Sequence, residues 1–324
     1  MMALENLPVD DFMEPLKREK CSWSNASRVC RRGGGVRLGG RLFWQGGTPF
    51  FFILHLIPTL RHATQLRIPP WVACMLNIES FYDELASGYD AMTDFEHRFE
   101  RESGFFEPLI GTNHVTAALD AGTGTGFHAL LLARLGVRVT AVDVSGAMIS
   151  RLLDHAREYH LNVTALQLSF RSLTNRFPSA FDAIVCMGNT LAHGESVGEL
   201  QATFREFAAM LRRPGLVILQ IVNFEKMLRG LEPYCKVRKT AAGSVTRTYS
   251  ITETGIRFTI EHRNQHDNLI TQRSLDMQPF THFDIVASLE SAGFNQVDLF
   301  GNIFLEQFDP MKSGDLIAIA RLPV

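Results

Sequence analysis

The chain has 324 residues, 46% of them hydrophobic, and a formal net charge of −2 at pH 7. This length and composition can bury the core of one large globular domain or of two small ones. The nearly balanced charge lacks the positive field typical of proteins that bind nucleic acid or anionic membranes, so we expect a small-molecule partner.

The cysteine and histidine patterns exclude the common metal and disulfide frameworks. The five cysteines form no C-x-x-C pair, and the eleven histidines show no metal-ligand spacing. The apolar stretch 49–60 is shorter than the about 20 residues that a transmembrane helix needs, and no signal-peptide cleavage pattern follows it. We therefore predict a cytoplasmic protein with no metal and no membrane partner.

Residues 1–76 differ from the rest of the chain, because they are rich in glycine and basic residues and have no sustained helical or strand period. This composition is typical of a disordered extension. A start assigned too far upstream, with Met75 as the true first residue, would give the same pattern. A basic targeting or binding arm is the alternative, and we assign the folded domain to 77–324.

Buried strands alternate with helices from residue 77 onward. The predicted strands are 115–121, 137–144, 162–168, 181–187 and 215–224. Helices are predicted between them, including 145–160 with Ser145 as N-cap and 196–212. Strands separated by helices of this length imply right-handed crossovers and a parallel sheet covered on both faces.

The pattern changes near residue 235 to alternating, β-branched sequence with turn signals at Thr254-Gly255 and Asp267-Asn268. It predicts an antiparallel β meander over about 235–280. The chain then closes with a helix capped by Thr281 and two strands, at 281–293, 294–301 and 315–322. We thus predict an α/β domain with a β insertion after the fifth strand.

The first predicted strand ends in "LDAGTGTG", which leads directly into a helix. Gly122, Gly124 and Gly126 predict a tight turn with free backbone N–H groups at the carboxyl edge of the sheet, where α/β folds bind ligands. Asp143 ends the next strand 21 positions after Gly122, close to the spacing of about 20 at which a carboxylate accepts hydrogen bonds from ribose hydroxyls. A nucleoside moiety is therefore implied.

Two features argue against a dinucleotide and hence against a nicotinamide oxidoreductase. Phe127 stands where the pattern G-x-G-x-x-G has its third glycine. Asp120, just before the turn, would repel a pyrophosphate and attract a ligand that carries an ammonium group. We therefore include Asp120 among the cofactor-binding residues.

Three motifs together resemble the class I S-adenosylmethionine-dependent methyltransferases: "LDAGTGTG", "VDVS" and "FDAIVCMGNTLAH". The resemblance covers about 78–324 and implies S-adenosyl-L-methionine as the cofactor. It implies a doubly wound, Rossmann-like seven-stranded sheet of order 3-2-1-4-5-7-6 with the last strand antiparallel. It also implies that Asp143 holds the ribose, that the glycine turn lies under the methionine part, and that Met187 and Asn189 contact the cofactor.

The segment "CMGNTLAH" is similar to the corresponding motif of glycine/sarcosine N-methyltransferases. Those enzymes have an arginine that binds the cofactor carboxylate 22 positions before the aspartate of the first strand, which corresponds to Arg98 here. A solvated place in the charged run "EHRFERE" is the alternative for Arg98. The segment 81–92 resembles the amino-terminal lid of small-molecule methyltransferases and places Tyr82 or Tyr89 over the sulfonium.

The chain departs from these relatives at two positions. Ser169 stands where many relatives have an acidic residue that contacts adenine, so we expect Ser169 to contact adenine and Phe170 to stack on it. Val222 stands where glycine N-methyltransferases have an arginine that binds the substrate. A glycine carboxylate would lack its partner at a cost of about 1–3 kcal/mol, so glycine is not the expected acceptor.

We predict methyl transfer to a small-molecule acceptor, with an amine nitrogen preferred over oxygen. Because the sulfonium is already activated, alignment of the acceptor with the methyl group can supply most of the rate enhancement. His193 and Tyr89 are the catalytic candidates, and His193 is placed to orient the acceptor or take its proton. An O-methyltransferase of a small metabolite and a catalytically silent cofactor-binding scaffold are the alternatives.

Overall fold

The structure, a computed structural model, describes residues 70–170, 173–230 and 234–324. Residues Arg67–Val324 form one compact unit. Most of the predicted amino-terminal extension, 1–69, lies outside the described residues. The first described helix begins at Pro70, and proline is favoured in a first helical turn because its missing N–H would have no partner there.

Two helices, α1 (Pro70–Thr93) and α2 (Phe95–Thr112), precede the sheet. The alternating part that follows consists of β1 (Ala117–Ala121), α3 (Phe127–Arg134), β2 (Arg138–Asp143), α4 (Gly146–Glu158), β3 (Thr164–Gln167), β4 (Phe181–Cys186), a 3-10 turn (Thr190–His193), α5 (Val197–Met210), β5 (Leu211–Val222) and α6 (Phe224–Leu228). The remainder consists of β6 (Tyr234–Thr240), β7 (Gly243–Ile251), β8 (Ile256–Asn264), β9 (Leu269–Met277), α7 (His282–Ser291), β10 (Asn295–Phe300) and β11 (Asp315–Leu322).

The main sheet has the predicted architecture, because its strand order is β3-β2-β1-β4-β5-β11-β10. Strands β1 to β5 are parallel, and β11 runs antiparallel to both β5 and β10. Numbered within this sheet alone, the order is the predicted 3-2-1-4-5-7-6. The carboxyl ends of β1, β2 and β4 therefore meet at one edge, where a ligand site is expected.

Both faces of the sheet are buried, which explains the nearly continuous apolar strands. On β4, Ile184 and Cys186 point into one core, whereas Ala183 and Val185 point into the other. This alternation follows from the two-residue period of a strand. Cys186 is fully buried and behaves as a small hydrophobic residue.

Predicted helix caps fix two helix starts. The Ser145 side chain accepts a hydrogen bond from the backbone N–H of Met148 at the start of α4. Thr281 and Asp284 form a reciprocal capping box at the start of α7. Both helices therefore begin within one residue of the predicted start.

The predicted β insertion is a separate four-stranded antiparallel sheet of order β6-β7-β8-β9. Its two predicted turns fall between β7 and β8 and between β8 and β9. One face of this sheet packs on α1, with the rings of Phe258 and Phe81 6.1 Å apart and an ion pair between Arg273 and Glu84. The insertion thus lies against the helix that was predicted to be the lid.

Candidate active site

A cleft opens at the carboxyl ends of β1, β2 and β4 and extends under α1. Its empty space is about 990 Å³ when counted out to open solvent. Of the predicted site residues, those that line it are Tyr82, Tyr89, Arg98, Gly122, Gly124, Asp143, Ser169, Phe170, Met187 and His193. The cleft therefore brings together residues that are about a hundred positions apart in the sequence.

The three glycines of the turn have positive φ angles of 75°, 57° and 93°, which favour glycine. A Cβ at Gly122 would lie 2.3 Å from the Thr190 side chain, and one at Gly126 would lie 2.4 Å from Leu152. A Cβ at Gly124 would meet nothing closer than 3.7 Å. The close approach that excludes side chains at Gly122 and Gly126 is therefore packing of the protein on itself.

The expectation of free N–H groups in this turn is wrong at four positions. The N–H of Gly126 donates to the carbonyl oxygen of Thr123 at 3.0 Å. The N–H groups of Gly122 and Thr123 both donate to the carbonyl oxygen of Val142, at 2.9 and 3.0 Å. The N–H of Gly124 donates to Asp143 at 2.8 Å. These groups are unavailable to a phosphate, in agreement with the sequence argument against a pyrophosphate ligand.

Asp143 is held at the end of β2 with its carboxylate facing the cleft. Its Oδ2 accepts the Gly124 N–H, and its Oδ1 accepts the Ser145 N–H at 2.9 Å. Burial raises the pKa of Asp143 to about 6, although these two donors oppose the rise. Each carboxylate oxygen retains acceptor capacity, so the group can accept further hydroxyl donors from the cleft.

Arg98 lies on α2 with only 17% of its side chain exposed, which does not agree with the solvated alternative. Its guanidinium donates to both carboxylate oxygens of Glu102, at 2.6 and 3.2 Å, and lies 3.9 Å from the centre of the Phe127 ring. Burial favours a higher pKa for Glu102, but His128 and Arg98 outweigh it and hold this pKa well below its usual range. Arg98 is thus a fixed cation beside the cleft.

Tyr82 and His193 meet across the cleft, 111 positions apart in sequence. The Tyr82 hydroxyl and the His193 Nε2 are 2.8 Å apart, and the two rings are packed edge to face. Burial raises the pKa of Tyr82 well above its usual range, so the hydroxyl stays protonated. It donates to Nε2 in the neutral His193 tautomer that carries its proton on Nδ1. The ring of Tyr89 covers Gly124 from the same helix.

Asp120 and Asn189 do not line the cleft, and both instead hold its wall in place. Asp120 is buried behind the turn and accepts a hydrogen bond from the Thr123 hydroxyl at 2.6 Å. Asn189 has a φ of 70°, and its Oδ1 accepts the backbone N–H of Val222 at 3.0 Å. These side chains hold β1 and β5 in position through hydrogen bonds to neighbouring protein groups.

Several cleft residues were not identified from the sequence: Ile78, Thr93, Thr123, Thr125, Phe127, His128, Val144, Gly188 and Thr190. Glu102 and His128, which fix Arg98, are also new. The four-residue spacing of Arg98 and Glu102 on one helix was an available signal for an ion pair. No local sequence pattern connected His128 with Arg98 and Glu102.

Within the described ranges, no group of three or more histidine, cysteine, aspartate or glutamate side chains could hold a metal ion. No helix in that part of the chain is long and apolar enough to cross a membrane.

A family model described as a methyltransferase domain matches residues 118–215. The chain is 29% identical to a glycine/sarcosine N-methyltransferase of Parasynechococcus marenigrum over 47% of its own length and 54% of that protein. It is also 29% identical to a ubiquinone biosynthesis O-methyltransferase of Albidiferax ferrireducens, over 49% of this chain and 74% of that protein. The chain spans about half the length of the glycine/sarcosine N-methyltransferases it matches.

Among solved structures, an S-adenosylmethionine-dependent methyltransferase from Clostridium acetobutylicum has a similar fold. It superimposes with a TM-score of 0.63 at 16% identity, over 75% of this chain and 99% of that one. This likeness concerns the fold alone. The matching family model and the curated relatives support a class I S-adenosylmethionine-dependent methyltransferase, and the strand order of the sheet agrees with that support.

Proposed function

We propose that the chain transfers the methyl group of S-adenosyl-L-methionine to an amine nitrogen of a small-molecule acceptor. The observation that carries this proposal is a single cleft in which Asp143, Arg98 and the Tyr82–His193 pair converge. The N-methyltransferases among the curated relatives support the choice of nitrogen. The expected partner is a small molecule and not a nucleic acid.

The polar groups of the cleft fit the parts of this cofactor. The Asp143 carboxylate is held by backbone donors and retains lone pairs for the two ribose hydroxyls. Arg98 presents a fixed guanidinium for the carboxylate of the methionine part, since only some of its N–H groups are used on Glu102. Ser169 and Phe170 lie on the wall where we place the adenine.

The bound cofactor would supply an activated methyl group on a sulfonium. The task of the protein is then to hold the acceptor nitrogen in line and to exclude water, which can be worth about 7–11 kcal/mol in well-oriented systems. We assign the covering role to Tyr82 and Tyr89 on α1, which close the cleft from above. His193, oriented by the Tyr82 hydroxyl, orients the acceptor or takes its proton.

O-methylation is the second candidate, because several curated relatives are O-methyltransferases. A panel of small amines, hydroxy-aromatics and sugars incubated with trideuteromethyl-labelled cofactor separates the two. The products would be fragmented in a mass spectrometer to locate the label. We expect label on amine nitrogen and none with heat-denatured protein. Label on hydroxyl oxygens only would refute the amine preference, and no label with a tightly bound cofactor would favour the silent scaffold.

A further inference from the structure

Two Tyr-Asp pairs lie seven positions apart on α1, at Tyr82-Asp83 and Tyr89-Asp90. Seven residues make about two helical turns, so the two tyrosines share one stripe of the helix and the two aspartates share the neighbouring stripe. The tyrosines line the cleft, whereas neither aspartate does. The two stripes therefore differ in what they contact.

Both aspartates contact α4 or the residue that caps it. Asp83 Oδ1 accepts hydrogen bonds from the Ser145 hydroxyl at 2.5 Å and from the N–H of Ala147 at 3.1 Å. Asp90 Oδ2 lies 3.2 Å from Nε2 of His155 on α4. The helix that carries the two tyrosines is thus fixed on α4 at two points.

His155 connects Asp90 to the glycine turn. It is buried, and its Nδ1 lies 2.9 Å from the carbonyl oxygen of Thr125, between Gly124 and Gly126. Since a carbonyl oxygen can only accept, Nδ1 carries a proton there. The other ring nitrogen faces the Asp90 carboxylate, so the doubly protonated ring is the form that donates to both groups. His155 is therefore a cationic bridge between α1 and the turn.

The surroundings of this bridge favour the ion pair. Burial lowers the pKa of His155, but the hydrogen bonds to Asp90 and to the Thr125 carbonyl outweigh it and raise this pKa above its usual value. Burial favours a higher pKa for Asp90, but His155, Thr125 and Arg151 outweigh it and lower this pKa. Phe95 packs on the imidazole with the two ring centres 4.3 Å apart, an arrangement that also favours a cation.

The bridge ends beside the point that Tyr89 covers. The Tyr89 ring lies 3.7 Å from the position of a Cβ on Gly124. Thr125, whose carbonyl oxygen faces His155, is the residue after Gly124, and Asp90 is the residue after Tyr89. The bridge therefore joins the chain neighbours of the two residues that approach each other at this part of the cleft.

We infer that Asp90 and His155 are positioning residues that hold Tyr89 over the glycine turn, and thereby over the methionine part of the bound cofactor. This inference deepens the proposed function and rests on it, because it takes the cleft to bind S-adenosyl-L-methionine. Neither residue lines the cleft. Their loss is therefore expected to weaken binding of the methionine part more than binding of the nucleoside, a difference that a loss of stability alone would not produce.

Two ligands separate this role from general stability. S-adenosylhomocysteine has the nucleoside and the amino acid part of the cofactor, whereas 5′-methylthioadenosine has the nucleoside without the amino and carboxylate groups. Both affinities are measured by titration calorimetry for the folded wild type, Asp90→Ala and His155→Phe. We expect each variant to bind S-adenosylhomocysteine at least about fivefold more weakly, as for coupled sites. The affinity for 5′-methylthioadenosine should stay within about twofold of wild type, as for sites without coupling.

Glu84→Ala is the matched control, because it removes an acidic side chain of α1 whose partner Arg273 lies on the β insertion. It is expected to leave both affinities unchanged. Asp90→Asn is the conservative variant, because its amide oxygen can still accept a hydrogen bond from His155, and it should retain more affinity than Asp90→Ala. His155→Phe keeps a ring against Phe95 and so preserves the packing.

A double-mutant cycle tests whether Asp90 acts through Tyr89. In a Tyr89→Ala background, Asp90→Ala is expected to cause little further loss of affinity for S-adenosylhomocysteine. Losses that add to within about twofold would show that the two residues act independently.

Equal losses for the two ligands, or unchanged affinity for S-adenosylhomocysteine in both Asp90→Ala and His155→Phe, would overturn the inference. An equal loss in Glu84→Ala would overturn it as well. Failure of the wild type to bind S-adenosylhomocysteine would instead overturn the proposed function.

Discussion

At the scale of single residues, we expect Asp143 to make the binding of the cofactor depend on pH. Its pKa is raised to about 6, and the ionised form is the better acceptor for ribose hydroxyls. Affinity for S-adenosylhomocysteine is therefore expected to be constant above pH 7 and to fall by up to about tenfold per pH unit below pH 6.

Titration calorimetry between pH 5 and 8 measures this dependence. Asp143→Asn is the matched variant, because it keeps the size of the side chain and cannot ionise. It is expected to bind weakly at every pH with no change near pH 6. A flat profile for the wild type would contradict the role of this carboxylate.

Glu102 stabilises the fold through its buried pairing with Arg98 and His128. Its pKa is held well below the usual value, so its contribution is present above the unfolded pKa, near 4.5, and is lost as the pH falls further. Removing one partner of a buried pair costs about 3–5 kcal/mol. We expect Glu102→Gln to lose a similar amount of unfolding free energy at pH 7, measured in urea.

The difference between wild type and Glu102→Gln should shrink as the pH falls below that range. Asp276→Asn is the control, since Asp276 pairs with Arg257 at the exposed surface and such pairs contribute about 0–1 kcal/mol. Equal unfolding free energies for Glu102→Gln and wild type at pH 7 would show that the pair does not stabilise the fold.

At the scale of elements, two glycines of the turn after β1 are expected to have different roles. Gly126 is needed for packing, whereas Gly124 lines the cleft. Gly126→Ala combines a left-handed backbone, which costs about 1–2 kcal/mol, with a clash against Leu152 on α4 that costs about 1–3 kcal/mol. Gly124→Ala has the same kind of backbone cost and only ordinary contact with Tyr89. Gly126→Ala should therefore be the less stable variant in thermal unfolding.

Gly124→Ala is expected to weaken cofactor binding more than its small loss of stability suggests, because the added methyl group lies between the turn and α1. If the two variants unfold at the same temperature, the packing assignment for Gly126 is wrong.

The strands and helices of the alternating region could be predicted because each one carries its own period and caps. Strands buried on both faces are continuous apolar runs, and Ser145 and Thr281 mark helix starts by local chemistry. The contacts that decide the roles of the glycines are not local. Thr190 and Leu152, which exclude side chains at Gly122 and Gly126, lie 68 and 26 positions away, and no local pattern identifies them.

At the scale of the whole molecule, the described cleft lies entirely within residues 78–193, and Arg67–Val324 form one compact unit. A chain that begins at Arg67 is therefore expected to bind S-adenosylhomocysteine with the affinity of the full chain, as measured by calorimetry. A loss of about tenfold or more would mean that residues before Arg67 contribute to the site.

The sequence identified residues from both sides of the cleft, but it did not predict which of them are in contact. Asp143 was found from its distance to the glycines, which is set by one strand–helix–strand unit. The contact between Tyr82 and His193 depends on how α1 packs over the sheet. Such packing leaves no periodic signal in the sequence.

The most direct test of the central claim is the affinity of S-adenosylhomocysteine for the wild type and for Asp143→Ala at pH 7.5. Loss of the ribose hydrogen bonds to a charged acceptor predicts that Asp143→Ala binds at least about tenfold more weakly. Equal affinities, with both proteins equally folded, would contradict the assignment of the nucleoside to this cleft.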